Sequence, residues 1–232
     1  MARAGKKQQG RPKDAALTAR RQEEILEAAV KVFAKHGFAN TDLQLIADAL
    51  GVAKGTLYRY FPSKKKLFLA SVEQGVNAIE AQVESAVNSA PDPLDKVAAA
   101  ITSYFRYMDD HPELLELLIQ ERAEFRDLRS KPSYFEHCEG NKDYWRQLFR
   151  NLIDSGQMRN IPVDRIVDTM GQMVYGTLFT NYFAGKTTPL VAQVPDILDV
   201  LFNGVLTKSQ GAGNTAVPRA QGTFSGAISH GN

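Results

Sequence analysis

The stretch IADALGVAKGTLYRYF, residues 46–61, decides the fold. Its first half has the apolar spacing of a short amphipathic helix, and Gly51 ends that helix. A second short helical segment begins after Val52 and Ala53. Two short helices joined by a tight turn that contains glycine form a helix-turn-helix, in which the second helix lies in the major groove of DNA. The sequence therefore predicts a DNA-binding motif at this position.

The side chains of the second helix favour contact with nucleic acid over core packing. A lysine at a helix N-terminus lies where backbone N–H groups already attract phosphate, and a glycine lets the backbone approach phosphate closely. Threonine and tyrosine hydroxyls can bond phosphate oxygens, and arginine can pair bidentately with guanine. Each cation alone could be a solvated side chain, but together they favour DNA. The expected contacts are Lys54, Gly55, Thr56, Tyr58, Arg59, Tyr60 and, at the start of the next helix, Lys64.

The charge distribution supports the same interpretation. Among 232 residues, the first 66 hold 14 of the 28 Lys and Arg but 6 of the 26 Asp and Glu, a net charge of +8 against −6 for the remainder. This asymmetry indicates that only the first part of the chain meets a polyanion.

The single cysteine, Cys138, fits a reducing compartment. We find no signal peptide and no run of about 18 apolar residues, so we expect a cytoplasmic protein without a membrane span.

Helical periodicity continues along the rest of the chain. We therefore expect an all-α fold of about nine helices, with no strand. Pro62 and Ser63 precede a long fourth helix, and Gly156 ends the seventh. Helix eight is expected at about 163–184 and helix nine at about 195–207.

Residues 25–72, ILEAAVKVFAKHGFANTDLQLIADALGVAKGTLYRYFPSKKKLFLASV, resemble the N-terminal domain of the TetR/AcrR family of transcriptional regulators. The resemblance adds Thr41 to the expected DNA-contacting residues. Three positions depart from the residues frequent in the family, namely Asp42, Ala53 and Tyr60. Asp42 can still cap helix two but would repel a nearby phosphate. The shared pattern comprises Gly37-Phe38, Thr41, Ile46-Ala47, Gly51-Val52, Gly55-Thr56-Leu57-Tyr58 and Phe61 to Lys64.

This resemblance implies a function as well as a fold. It implies a repressor, not an enzyme, that occupies a palindromic operator as a homodimer and is released by a small-molecule effector. The implied partners are double-stranded DNA, a second copy of the chain and a small hydrophobic effector, with no cofactor and no metal. The resulting division is a disordered basic arm at 1–18, a helix-turn-helix domain at 19–66, a ligand-binding and dimerisation domain at 67–207 and a disordered tail at 208–232.

Helices eight and nine carry apolar residues on more than one stripe, so each needs burial on two sides. The second side is either another subunit or the centre of the same subunit, and the resemblance, which implies a dimer formed by these helices, favours the first. The expected interface residues are Met170, Val174, Leu178, Ile197, Leu201 and Phe202.

The resemblance also implies an effector pocket among helices four to eight, and the walls of such a pocket are mostly apolar. Arg122 shares an apolar face of helix six, so we expect a buried guanidinium that needs a carboxylate partner. That partner is either an anionic ligand, such as a fatty acyl carboxylate, or a structural acid such as Glu116 or Glu121, and the structural pair is favoured. The other candidate wall residues, for each of which plain core is the favoured alternative, are Tyr104, Met108, Leu115, Ile119, Phe125, Trp145, Phe149 and Tyr175.

Two short segments suggest alternatives. GRPK, residues 10–13, resembles the minor-groove element of AT-hooks, although a flexible solubilising tail explains one copy equally well. EHCE, residues 136–139, groups potential metal ligands, but adjacent helical residues point about 100° apart, so we expect no metal site. An architectural DNA-binding protein without a ligand is the alternative function. An enzyme is disfavoured because we find no nucleophile–base pair and no glycine-rich phosphate loop.

Overall fold

The computed structural model describes residues 15–125 and 133–204, with the backbone alone for 133–140. Within these ranges the chain forms nine α-helices, one 3₁₀ helix and no strand, which confirms the all-α prediction. None of these helices is both long and apolar enough to cross a bilayer. The elements are α1 (Ala15–His36), α2 (Leu43–Leu50), α3 (Lys54–Tyr60), α4 (Lys64–Ser89), α5 (Pro93–Asp110), α6 (Pro112–Glu124), α7 (Ser133–Asp154), α8 (Val163–Phe183), the 3₁₀ helix (Leu190–Gln193) and α9 (Val194–Asn203).

Several expectations fall outside the described residues. These are the basic arm up to residue 14 with its GRPK segment, the tail at 208–232, and the side chains of the EHCE segment, including Cys138. Residues 15–18, which we expected to belong to the arm, form the first turn of α1.

Local capping residues define the helix-turn-helix. The Asp42 carboxylate accepts the backbone N–H of Gln44 at 2.7 Å, so Asp42 caps α2. Gly51 ends α2 with a φ of 64°, a left-handed conformation that favours glycine. The next helix, α3, follows after two residues and ends at Phe61. The sequence pattern therefore predicts both helices and the turn correctly.

Four phenylalanines join the DNA-binding motif to the rest of the chain. Phe33 lies on α1, Phe38 in the following turn, Phe68 on α4 and Phe125 at the end of α6. The ring of Phe68 meets those of Phe33 and Phe38 edge to face at 5.1 Å, and Phe38 meets Phe125 at 5.0 Å. We call these four residues the phenylalanine cluster. Because it contains residues of α1, α4 and α6, it fixes the position of the motif on the C-terminal helices.

The last helices are held by polar contacts between distant parts of the sequence. The Asp109 carboxylate of α5 accepts the backbone N–H groups of Leu190 and Val191 at 2.8 and 3.0 Å, and so caps the 3₁₀ helix. Sequence periodicity did not predict this helix, because its capping residue lies about 80 positions away. The hydroxyl of Tyr182 on α8 donates to the Glu116 carboxylate of α6, which raises the pKa of Tyr182 to about 12. α9 ends at Asn203, earlier than expected.

Replacing Phe68 tests the phenylalanine cluster. Phe68 is fully buried, so Phe68→Ala should lower the free energy of unfolding by about 3–5 kcal/mol through lost burial and a residual cavity. Phe68→Leu retains most of the apolar volume and should cost clearly less. Urea denaturation followed by circular dichroism measures both. A Phe68→Ala protein within 1 kcal/mol, roughly, of the wild type would show that the cluster is not a stability centre.

Candidate nucleic-acid interface

The third helix, α3, is anchored on one side and open on the other. Leu57 is fully buried and Phe61 nearly so, and both pack into the core. Arg59 and Gly55 are exposed, and the Tyr58 side chain is 47% exposed. This division leaves a polar and aromatic face of α3 available to a partner.

Gly55 is not required by the fold of α3. It lies within the helix, and a Cβ atom built on it meets no heavy atom within 4 Å in the described part of the chain. Glycine costs a helix stability relative to alanine, so a glycine without internal need indicates a surface where another molecule comes close. This observation favours the predicted approach of the α3 backbone to phosphate.

On the same helix, the Arg59 guanidinium lies 5.1 Å from the centroid of the half-buried Tyr60 ring. This cation–π contact orients the arginine side chain.

Lys54, the first residue of α3, is paired with Asp42. The Lys54 ammonium lies 2.6 Å from the Asp42 carboxylate. The hydrogen bond from Lys54 lowers the pKa of Asp42, and the same bond raises the pKa of Lys54. Both groups are solvent-exposed, so water and salt screen the pair. In the DNA-free chain, the cation expected at phosphate therefore has a carboxylate neighbour, which reduces the positive potential at the start of α3.

Lys64 has partners within the domain. Its ammonium donates to the backbone carbonyls of Phe38, Ala39 and Thr41 at 2.8, 3.1 and 3.0 Å, and lies 4.6 Å from the centroid of the Phe38 ring. A lysine has three N–H donors, and here each has an acceptor. Lys64 therefore organises the turn between α1 and α2, and we leave it out of the proposed DNA contacts.

Thr41 lies inside the domain as well. Its side chain is 3% exposed, and its hydroxyl donates to the Gly37 carbonyl at 2.7 Å. The expected contact between this side chain and DNA is not supported by this conformation. Thr56, in contrast, lies half-exposed on α3, together with the exposed residues described above.

Several of the candidate pocket residues lie in the core. Met108, Leu115 and Phe149 are buried in the common core, and Phe125 belongs to the phenylalanine cluster. Arg122 is exposed, so the expected buried guanidinium is wrong. Arg122 lies near the C-terminal end of α6 and is exposed although Leu115 and Leu118 of the same face are buried, and Glu121 is the buried charged residue instead. Tyr104, Ile119 and Trp145 are half-buried against the core, and Tyr175 is half-buried as well.

A small groove lies between the start of α5 and α7. Its volume is about 190 Å³. The residues that line it, none of them in the predicted pocket, are Pro93, Lys96, Tyr144, Gln147, Leu148 and Asn151. Among the described residues, no three His, Cys, Asp or Glu side chains form a group that could hold a metal ion.

The predicted interface residues divide into two groups. Leu178 and Ile197 are buried within the subunit, so they are core residues rather than interface residues. Phe202 is exposed, whereas Met170, Val174 and Leu201 are half-buried. The sequence analysis missed Phe183, which is 71% exposed, and Val200, which is 45% exposed. Both belong to the apolar pattern that covers several sides of α8 and α9. That pattern shows that the helices need burial on two sides, but it does not show which side faces solvent in one subunit.

The exposed, partly basic face of α3 in a two-helix motif defines a helix-turn-helix DNA-binding protein. Residues 25–71 match the family model described as bacterial regulatory proteins, tetR family. The chain is 26% identical to the "Fatty acid metabolism regulator protein" of Bacillus subtilis (strain 168), over 80% of this chain and 95% of that protein. Residues 25–71 are therefore a tetR-family DNA-binding domain, and the chain is a DNA-binding transcriptional regulator rather than an enzyme.

Solved structures share the fold over most of the chain. The fatty acid degradation regulator FadR from Bacillus halodurans superimposes with a TM-score of 0.69, at 21% identity, covering 79% of this chain and 95% of that one. The transcriptional regulator FadR from Bacillus subtilis, solved in complex with stearoyl-CoA, superimposes with a TM-score of 0.67, at 23% identity, covering 79% of this chain and 99% of that one. These similarities show that the chain shares its fold with those two regulators.

Asp42→Asn tests the electrostatics of the Lys54 pair. Asparagine can keep the side-chain cap of α2 but removes the negative charge beside Lys54. We expect DNA affinity to rise by about 2- to 5-fold, the size of a surface ion pair, and the dependence of log K on log salt to steepen by about 1. Fluorescence anisotropy at several salt concentrations measures both. Asp48→Asn is the control, because Asp48 is an exposed acid of the same helix whose partner is Gln44. Equal effects of both variants would mean that the pair itself does not matter.

Proposed function

We propose that the chain is a homodimeric repressor that binds a palindromic operator through α3 and is released by a small-molecule effector. The observation that carries the proposal is the exposed face of α3, anchored by buried Leu57, within the basic part of the chain. In a helix-turn-helix dimer, two such helices enter successive major grooves about 34–36 Å apart. An effector that binds better to a dimer with a different separation lowers DNA affinity by the difference in its binding energy.

The proposed contacts follow from the chemistry of each exposed group. Arg59 reads guanine, because its forked guanidinium matches the two acceptors of that base in the major groove. Tyr58 and Tyr60 donate their hydroxyls to phosphate, and the backbone at Gly55 approaches phosphate closely. The remaining proposed contacts are those of Lys54, after it leaves Asp42, and of Thr56.

The proposed homodimer forms through α8 and α9. Phe183, Val200 and Phe202 are exposed on these helices, and burying them against a second copy would remove apolar area from water. Gly171 and Gly176 of α8 supply the close approach that such packing needs. A Cβ atom built on either glycine meets no heavy atom within 4 Å in the described part of the chain. This space allows a partner helix to lie against α8.

The proposed effector is a long-chain fatty acyl thioester of coenzyme A. Support comes from the Bacillus subtilis fatty acid metabolism regulator protein, which aligns over 95% of its length, and from the related fold solved with stearoyl-CoA. An acyl chain requires an apolar environment, which the half-buried aromatic residues of the C-terminal helices can supply. They include Tyr175, whose ring lies 4.2 Å from that of Phe179, and Trp145 on α7.

Selection from genomic DNA tests the function. The full-length chain is incubated with sheared genomic DNA at about 0.15 M salt, and the retained fragments are sequenced before and after addition of stearoyl-CoA. We expect enrichment of a palindrome, and its release by stearoyl-CoA but not by free coenzyme A. Retention of all fragments alike would contradict the repressor and favour the architectural alternative. A retained palindrome that stearoyl-CoA does not release would refute the acyl-CoA effector alone.

Charge substitutions test the dimer. Phe183→Glu and Phe202→Glu each place a carboxylate in the proposed interface, so each should shift the protein toward the monomer in sedimentation equilibrium and weaken binding to the full palindrome. Leu17→Glu is the control, because Leu17 is an apolar residue of α1 outside the proposed interface and is 67% exposed, close to the 71% of Phe183. If Phe183→Glu and Phe202→Glu both remain dimers, the interface lies elsewhere.

A further inference from the structure

Gln120 of α6 joins the C-terminal helices to the end of α1. Its side-chain amide donates from Nε2 to the Phe33 carbonyl at 3.1 Å, and its Oε1 accepts the backbone N–H of Phe38 at 3.0 Å. These bonds cross 87 and 82 residues of sequence. One side chain of α6 therefore binds two backbone groups on either side of the residue that ends α1.

The chemistry of a helix end explains why an amide is needed there. Gly37 ends α1 with a φ of 78°, and its N–H bonds the Phe33 carbonyl at 2.9 Å. The next N–H, that of Phe38, would in many helices bond a carbonyl one turn back, but here Gln120 supplies the acceptor. The second lone pair of the Phe33 carbonyl receives the Gln120 amide hydrogen. A glutamine offers one donor and one acceptor at the required spacing.

The same turn is held from α4. The Phe38 carbonyl accepts the Lys64 ammonium at 2.8 Å, while the Phe38 N–H is bound by Gln120. The two peptide groups of Phe38 thus connect α6 to the first residue of α4. Lys64 in turn lies four residues after Tyr60, the last residue of α3. A short path of hydrogen bonds and covalent chain therefore runs from α6 to the DNA-facing helix.

We propose that Gln120 is a positioning residue that couples the state of α6 to the placement of α3 on DNA. This inference rests on the proposed function, because α6 belongs to the region assigned to the effector. Apolar packing in the phenylalanine cluster is non-directional and tolerates small sliding movements. The Gln120 bonds do not, since a shift of α6 by about 1 Å takes both beyond hydrogen-bonding distance. The Gln120 side-chain amide thus has a bound and a released arrangement, and DNA and the effector can each favour one of them.

Hydrogen exchange of the full-length chain tests this coupling without any effector. Amide exchange is measured by mass spectrometry with and without the selected palindromic duplex. In the wild type, DNA should slow exchange in residues 112–124 of α6, by about fivefold, the lower end of ordinary allosteric coupling. In Gln120→Met, which has similar volume but no hydrogen bonds, DNA should still protect residues 42–60 but no longer residues 112–124. Glu124→Met, an exposed change on the same helix, is the control and should behave as the wild type.

A second arm uses stearoyl-CoA as the probe. In the wild type, saturating stearoyl-CoA should weaken DNA binding at least about fivefold, and in Gln120→Met less than about twofold, with stearoyl-CoA affinity unchanged. Gln120→Glu keeps the acceptor for the Phe38 N–H and should give intermediate coupling between stearoyl-CoA and DNA. This variant serves as the test if Gln120→Met destabilises the domain. The inference would be overturned if DNA slowed amide exchange in α6 equally in all variants. It would also be overturned if DNA did not slow amide exchange in α6 of the wild type. No response of the wild type to stearoyl-CoA counts against the effector class only, because the exchange arm then decides the coupling.

Discussion

The five-residue turn 37–41 is the constraint on which the position of the DNA-binding motif depends. Its buried carbonyls need donors, since each one left without a donor costs about 1–3 kcal/mol, and Thr41 bonds those of Gly37 and Phe38 from within the turn. The Lys64 ammonium provides hydrogen bonds to three carbonyls of the turn. This requirement brings the first residue of α4 against the end of α1. Because α2 and α3 lie between these two points in the chain, their placement follows. The exposure of one face of α3 therefore depends on the hydrogen bonds made by a turn about twenty residues earlier in the chain.

Magnitudes separate the contacts that hold the two parts together from those that set their relative position. Each buried phenylalanine of the cluster contributes about 3–5 kcal/mol, whereas a neutral hydrogen bond contributes about 1 kcal/mol net. The two bonds of Gln120 therefore amount to about 2 kcal/mol, which lies within the about 1–3 kcal/mol of typical allosteric coupling. The cluster keeps the domains joined in either state. The hydrogen bonds are weak enough to be made in one state and broken in the other.

Sequence reasoning succeeded where the deciding interactions are local. The cap at Asp42, the left-handed Gly51 and the buried position of Leu57 depend on neighbours within a few residues. It failed where a partner lies far along the chain. Apolar spacing alone suggested a buried Arg122, but Arg122 lies in solvent although Leu115 and Leu118 on the same face of α6 are buried. Leu178 illustrates the same limit, since an apolar pattern shows that a residue needs burial and does not show whether its own subunit or another supplies it.

The ion pair between Asp42 and Lys54 gives the proposed release step a physical basis. A carboxylate at the DNA-facing surface opposes phosphate on every sequence alike, so it lowers operator affinity and non-specific affinity by a similar factor. The ratio between them, which the proposed base contacts of Arg59 determine, is unchanged. A coupling free energy of about 1–3 kcal/mol weakens operator binding by a limited factor. The effector can therefore empty the operator only if the Kd for the operator is not far below the concentration of the protein. Lower electrostatic affinity at constant specificity meets that condition, and Asp42 provides it while also capping α2.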